Sequence, residues 1–173
     1  MDWTAPSITR TEPPESSDER SSLDGFLDFH RQTLLWKCSG LTGDQLRLRA
    51  VGSSNVSLLG LVRHLTDVER GWFRVRFAGE QLAFLHSTDD NLDGDFDDVD
   101  TADAEADYAS YLAEIELCHT AVAGRGLDET FVHPRRGVEM SLRWVYLHMI
   151  EEYARHNGHA DLIREAIDGA TGE

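Results

Sequence analysis

The sequence predicts an all-α protein whose long helices pack as a four-helix bundle. Three observations favour this fold class: four segments carry apolar residues at intervals of three and four, no alternation of strands with helices is seen, and no internal repeat is visible. The chain has 173 residues, of which 40% are hydrophobic and 28% are charged. This length and composition are typical of one globular domain that can bury a core.

The first two predicted helices precede the most acidic part of the chain. The first covers residues 22–38 and stops before Gly40, and the second covers residues 57–77 and stops before Gly79. The second helix has the clearer periodicity. Its apolar residues are Leu58, Leu61, Val62, Leu65, Val68, Trp72 and Val75.

Two further helices and a hairpin are predicted after the acidic part. Thr101 is a suitable N-cap for a third helix over residues 102–123, because a threonine side chain can accept a hydrogen bond from the first turn. Acidic residues in that turn also favour a helix start there. Ser141 precedes a fourth helix over residues 142–167. Between these helices the sequence TFVHPRRGVEMS alternates around a Pro-Arg-Arg-Gly turn, which favours a short hairpin just before the fourth helix.

The first 19 residues differ in composition from the rest of the chain. Residues 1–19 hold three of the four prolines, which predicts an extended, poorly ordered arm, and the folded domain is expected to span residues 20–173. The sequence contains no apolar run long enough for a transmembrane helix, and its N-terminus lacks the apolar core of a secretory signal. Cys38 and Cys118 form no CxxC motif, which fits a reducing cytoplasm.

The net charge of −16 is concentrated in one segment. Residues 77–124 contain thirteen acidic residues and no Lys or Arg. The acidic excess argues against nucleic acid and against an anionic membrane surface as partners. Five residues of the segment follow the order of a calcium-binding loop: Asp89, Asn91, Asp93, Asp95 and Asp100. A long solvated connection between the second and third helices is the favoured interpretation, because no EF-hand helix precedes the loop; calcium binding is the alternative.

The fourth helix gathers four candidate metal ligands on one face. At 100° per residue, His148, Glu152, His156 and His159 fall within an arc of about 80°. Glu152 and His156 are one turn apart and can converge on one ion, whereas His148 and His156 are about 12 Å apart along the helix axis. The pattern therefore predicts Glu152 and His156 as the central pair. His148 and His159 are then a further ligand, an outer partner or a proton carrier.

His64 in the second helix is the best candidate for a ligand from another helix. It lies beside Leu61 and Val68, and Gly60 and Gly71 flank it on the same face, where they would allow another group to approach closely. Two histidines and one carboxylate form the ligand set of an open catalytic zinc site. The same set suits iron, nickel or manganese, and the residues alone do not choose among these metals.

These residues carry a resemblance to a known family. The segment Trp144 to Glu165 resembles the fourth-helix signature of the DinB-like superfamily, particularly its actinobacterial mini-circle branch, and His64 with Trp72 downstream resembles the second-helix motif. The resemblance covers about residues 20–168. It implies a DinB-like bundle with a divalent metal, usually zinc or nickel, held at positions 64, 152 and 156. The Glu-x-x-x-His form is similar to the metal-binding domain of mycothiol-dependent maleylpyruvate isomerases, and position 159 is Gln in many members.

The resemblance also implies a function. Characterised relatives transfer or isomerise small molecules through a thiol such as mycothiol, and an open metal position can bind a thiol as thiolate. Two alternatives remain: a metal-dependent hydrolase that activates water, and a non-catalytic bundle, with a structural metal or none, that forms a homodimer or binds a partner. Candidate acid–base residues are Asp67 and Glu151. Candidates for binding a substrate carboxylate are Arg63, Arg143 and Arg155.

Overall fold

The computed structural model describes residues 3–172, and the fold is mostly helical. Four long helical stretches account for most of it, and short helical turns and one small hairpin connect them. In chain order the elements are α1 (Glu19–Cys38), α2 (Gly43–Arg47), α3 (Leu58–Glu69) with its π-helical continuation (Arg70–Phe77), α4 (Gly94–Asp97) with a 3₁₀ turn (Asp98–Thr101), α5 (Ala104–Val122), β1 (Thr130–Val132), β2 (Glu139–Ser141) and α6 (Leu142–Asp168).

The long helices occur where the apolar periodicity predicts them, and their ends are set by local caps. Ser57 and Ser141 accept the hydrogen bonds that start α3 and α6. The predicted N-cap of the third helix is wrong: Asp103 accepts from the Ala106 N–H and caps α5, whereas Thr101 ends the 3₁₀ turn. The hairpin predicted before the last helix is present as the antiparallel pair β1–β2.

The apolar faces of the long helices share one core. Helix α1 lies along α6, and α3 lies along α5 and also contacts α6. Fully buried side chains from these helices include Leu27, Leu34, Leu61, Leu65, Tyr111, Tyr146 and Met149. This packing brings the face of α3 that carries His64 next to the face of α6 that carries Glu152 and His156. Among the described residues, no helix combines the length and the apolarity that a membrane crossing would need.

A buried polar network crosses this core where α3 becomes π-helical. The Arg31 guanidinium donates to both carboxylate oxygens of Glu69, at 2.7 Å each, and the Tyr153 hydroxyl donates to Glu69 Oε1 at 2.9 Å. The hydroxyls of Tyr111 and Tyr153 are 2.8 Å apart. Glu69 is completely buried, so its charge is balanced inside the protein and not by water. The network therefore joins α1, α3, α5 and α6.

The N-terminal segment is extended and lies against the helices. Of the arm predicted over residues 1–19, residues 1 and 2 lie outside the described residues, as does residue 173. The Ala5 N–H donates to the Leu41 carbonyl at 2.9 Å, and the Gly40 N–H donates to the Ala5 carbonyl at 2.8 Å. Trp3 packs edge-on against Tyr108. These contacts hold the first described residues of the arm on the domain.

Candidate metal centre

Three of the predicted ligands converge between α3 and α6. The Nε2 atom of His64 lies 3.2 Å from Glu152 Oε1, and the Nε2 atom of His156 lies 3.4 Å from the same oxygen. One ligand atom from each residue lies within 4.8 Å of the other two. Within residues 3–172 this is the only group of three or more His, Cys, Asp or Glu side chains with such spacing. The arrangement can therefore place two imidazole nitrogens and one carboxylate oxygen around a single ion.

A buried carboxylate orients His64 from behind. Asp95 Oδ2 lies 2.8 Å from His64 Nδ1, and Asp95 is only 4% exposed. Although burial opposes protonation of His64, its hydrogen bonds to Asp95 and Glu152 outweigh burial and raise its pKa to about 9. The imidazoles of His156 and His64 hold the pKa of Glu152 far below its usual range. Asp95 thus fixes the ring so that Nε2 faces Glu152, the pattern usual for a metal-binding histidine with an outer carboxylate.

A cavity of about 610 Å³ opens beside His64. Residues of α3 and its π-helical continuation form one side. Residues 82–96 form another, and they belong to the acidic connection, the stretch of residues 78–103 between this continuation and α5. The glycines predicted to allow a close approach explain how these parts meet. A Cβ atom at Gly60 would lie 2.7 Å from Cδ1 of Phe96, and one at Gly71 would collide with the Arg76 guanidinium. The glycines therefore admit side chains of the protein that shape the cavity wall.

A comparison with models of known protein families shows to which family the chain belongs. The family model described as Mycothiol-S-transferase matches residues 22–169, which includes all three converging residues. The chain belongs to the mycothiol-S-transferase family. This membership agrees with the DinB-like resemblance of the second and fourth helices. No curated protein and no solved structure matches the chain significantly.

In this member of the mycothiol-S-transferase family, the other two histidines of the fourth helix lie outside the converging group. His159 Nδ1 is 3.3 Å from His156 Nδ1, so it contacts the ring nitrogen that faces away from Glu152. Burial, with the neighbouring charge of His156, lowers the pKa of His159. His148 stacks on Trp144 with ring centroids 4.9 Å apart. The structure therefore places His159 behind His156, and His148 in an aromatic cluster.

The two candidate acid–base residues occupy different surroundings. Asp67 accepts three backbone N–H groups of the acidic connection: those of Leu85 at 2.7 Å, His86 at 3.0 Å and Ser87 at 2.9 Å. Its oxygens are thus engaged in holding this part of the cavity wall, so the structure favours an anchoring role over proton transfer. Glu151 is exposed and lies 3.4 Å from His148, on the outer side of α6.

The three arginines predicted to bind a substrate carboxylate do not line the cavity. Arg63 is buried, pairs with Asp107 at 2.8 Å and donates to two carbonyls of the acidic connection. Arg143 pairs with Glu19 and Asp128 near the start of α6. Arg155 is exposed. The sequence-based assignment rested on closeness along the chain to the predicted ligands, which does not determine the direction of a side chain.

The five residues that follow the calcium-loop order do not share a centre. Asp95 turns inward to His64, Asp100 pairs with Arg49 at 2.7 Å, and the Asn91 amide donates to Asp98 at 3.0 Å. The reason is local, because the glycine of the motif begins the helical turn α4 and the carboxylates are dispersed around it. In the described part of the chain, these carboxylates form no second group that could hold an ion.

Several residues of the site were not found from the sequence. Trp72, Phe84 and Phe96 provide aromatic walls of the cavity, and Arg76 and Arg135 provide its basic groups. The glycine pair beside His64 was a usable signal for a close approach, but it could not identify the approaching side chains. Arg135 lies in the hairpin turn, far from His64 in sequence, and no pattern links the two.

Proposed function

We propose that this chain is a zinc-dependent transferase that uses mycothiol as its thiol co-substrate, within a DinB-like four-helix bundle. His64, Glu152 and His156 would be the protein ligands of the metal. The convergence of their ligand atoms within 4.8 Å carries the proposal, and membership of the mycothiol-S-transferase family supports it. Three protein ligands leave a coordination position for a further group, as catalytic zinc sites do.

The ligand set explains how a thiol can become reactive at neutral pH. A zinc ion at this position would bind the mycothiol sulfur as thiolate, which is the nucleophilic form. In the transfer, sulfur forms a bond to the electrophilic atom, the leaving group departs with its bonding electrons, and the thiol proton passes to solvent. The residues of the chain contribute the positioning, since Asp95 orients His64 and the cavity beside it can hold the electrophile.

The cysteines of the chain support an external thiol as the nucleophile. Cys38 and Cys118 are free and buried, and neither lines the cavity. Burial raises the pKa of Cys38 to about 12 and raises the pKa of Cys118 further. Such thiols are inert at neutral pH, which supports a small molecule as the source of the reacting sulfur. Two unpaired cysteines also fit the reducing cytoplasm in which we place the protein.

Metal content and thiol transfer together test this function. We expect the wild-type protein to bind one zinc ion by elemental analysis, and His156→Ala to lose it, because one of three ligands is removed. The variant His159→Gln is the control and should keep its zinc, since His159 lies behind His156. With mycothiol and 1-chloro-2,4-dinitrobenzene, wild type should form the thioether and release chloride, whereas His156→Ala should lose most of this rate.

Two outcomes would contradict the proposal in different ways. If wild type binds no stoichiometric metal under any loading condition, the ligand assignment is wrong. If it binds zinc but consumes no mycothiol with a panel of electrophiles, the metal centre stands and the transferase activity does not; ester or amide hydrolysis by the zinc-loaded protein would then identify a hydrolase.

A further inference from the structure

Two arginines that are far apart in sequence line the cavity that also contains His64. Arg76 comes from the π-helical continuation of α3, and Arg135 comes from the hairpin turn. Among the described residues, neither has a carboxylate within ion-pair distance. In contrast, Arg70 and Arg74 on the same helical stretch both pair with Glu114, at 2.7 and 2.8 Å. The positive charge of Arg76 and Arg135 is therefore available to the cavity.

The surroundings of Arg76 hold its guanidinium in a defined place. Its central carbon lies 4.6 Å from the centroid of the Trp72 ring, and Gly71 provides the space for one of its terminal nitrogens. Burial and the nearby charge of Arg135 both lower the pKa of Arg76. Two like charges that face one cavity repel each other, and an anion bound between them would relieve this repulsion.

The other residues that line the cavity indicate the chemistry of the uncharged part of such a ligand. Much of the wall is apolar or aromatic, formed by Val68, Trp72, Leu82, Ala83, Phe84, Leu92 and Phe96. Two of the lining carboxylates are already engaged, because Asp67 binds backbone N–H groups and Asp95 binds His64. Asp89 and Asp93 also line the cavity, and both are exposed to solvent. The cavity thus combines largely apolar walls with two arginines that have no carboxylate partner among the described residues.

We propose that this cavity binds a small, largely apolar molecule with one anionic headgroup, a carboxylate or a phosphate monoester, held by Arg76 and Arg135. The planar guanidinium groups can each donate paired hydrogen bonds to such a headgroup, and Trp72 and Phe84 pack against the apolar body. The binding site stands on the cavity geometry alone. Its identification as the site of the electrophile that accepts the thiol rests on the proposed function.

Calorimetric titration with matched probes tests the site. The probes are 4-phenylbutyrate, phenyl phosphate and the neutral 4-phenylbutan-1-ol, added to the full-length protein. We expect at least one anion to bind at millimolar concentration or below, and the alcohol to bind about tenfold more weakly than 4-phenylbutyrate. The better of the two anions identifies the headgroup. Phosphate binding without carboxylate binding assigns the phosphate monoester, and the reverse result assigns the carboxylate.

Charge-removing variants locate the binding. Arg76→Gln and Arg135→Gln should each weaken anion binding by about tenfold and leave the alcohol unchanged. Arg10→Gln, which removes the same charge from outside the cavity, should match wild type. Arg135 lies on an exposed turn, so its substitution tests the site even if Arg76→Gln disturbs folding. Equal affinities of wild type and Arg135→Gln, or equal binding of alcohol and carboxylate, would overturn the proposal.

A metal-free arm separates this site from the proposed metal centre. Titrations in the presence of a chelator, and with His156→Ala, should give the same anion affinity as the untreated protein. If anion binding disappears in both, the headgroup binds at the metal and not at the arginines, and the proposal fails. Because no turnover is measured, the absence of mycothiol transfer would leave this result unaffected.

Discussion

At the scale of single residues, the contact between Asp95 and His64 determines how this imidazole faces the proposed metal centre. A histidine offers two nitrogens, and the hydrogen bond at Nδ1 leaves Nε2 as the atom that faces Glu152. Phe96 packs against the same imidazole with ring centroids 5.2 Å apart. Two consecutive residues of the acidic connection therefore hold the ring of one proposed metal ligand in position.

Removing the charge of Asp95 should weaken metal binding without removing a ligand. We expect Asp95→Asn to lower zinc affinity by about 10- to 100-fold, because outer carboxylates orient the ring and increase its basicity. Competition with a chromophoric chelator measures this affinity. The matched control is Asp90→Asn, an exposed change in the same connection. Equal zinc affinity of both variants would show that Asp95 does not act through His64.

The residues of the site differ in how far the sequence revealed them. Glu152 and His156 were predictable as a pair because both lie on one regular helix, where spacing alone fixes the face. His64 required the further assumption that two helices pack with these faces together. Asp95 appeared instead as a member of a calcium loop, because its direction depends on the path of an irregular connection. Arg135 gave no signal for the same reason.

At the scale of elements, the buried carboxylate of Glu69 links the two helices that carry the proposed ligands. Glu69 lies on the same helix as His64, and its partner Tyr153 follows Glu152 directly on α6. The hydrogen bond from the Tyr153 hydroxyl to Glu69 joins α6 to α3, and the Arg31 guanidinium holds the same carboxylate from α1. We therefore interpret this network as the feature that sets the register of the two ligand-bearing helices.

Breaking this network should cost much more than a surface change. We expect Glu69→Ala to lower the free energy of unfolding by about 3–5 kcal/mol, because it removes the buried bidentate partner of Arg31 and leaves this buried charge with only the partly exposed Asp28. Urea denaturation measures the change. Glu165→Ala, on the exposed side of α6, is the control and should stay within about 0.5 kcal/mol of wild type. A cost for Glu69→Ala no larger than that of Glu165→Ala would contradict this interpretation.

The same scale shows where the sequence predicts elements well. The four long helices follow from apolar residues at three- and four-residue spacing, which is a local property. Four features were missed: the short helix α2 with its capping box of Thr42 and Gln45, the π-helical turns after Glu69, the helical turns at residues 94–101, and Asp103 as the cap of α5. The π-helical turns coincide with the buried network and with Gly71, whose effects depend on tertiary contacts.

At the scale of the whole molecule, the acidic segment is fastened to the helices. Arg49 pairs with Asp100, Arg63 pairs with Asp107, and Asp67 holds the backbone around His86. Most of the net negative charge therefore lies on a surface with defined contacts. The sequence alone predicted the charge of this segment correctly, but it could not show that basic and acidic side chains of α3 secure it.

The burial of His86 within this segment should make stability depend on pH. Its Nε2 atom is buried without a hydrogen-bond partner, and burial, reinforced by the charge of Arg63, lowers its pKa. Nearby carboxylates, chiefly Asp107 and Asp67, only partly oppose this shift. The unfolded chain therefore binds the proton first as the pH falls below the ordinary value of 6.5, and the free energy of unfolding decreases there.

The variant His86→Gln should reduce this pH dependence. Urea denaturation of wild type and variant between about pH 7.5 and pH 5 measures the slope, and the difference between the two slopes isolates the contribution of His86. Wild type should lose more stability than the variant as the pH falls. Parallel slopes would show that His86 does not take up a proton differently in the folded and unfolded chains.

The acidic connection is attached to α3 at two points, and the stretch between these points can vary in sequence without loosening either attachment. Asp67 holds residues 85–87 and His64 holds Asp95, while residues 88–93 run between these points. Leu92 and Asp93 contribute to the cavity from this stretch, yet neither attachment depends on their side chains. We therefore expect laboratory evolution restricted to residues 88–93 to alter which molecules enter the cavity, while the contact between His64 and Asp95 is retained.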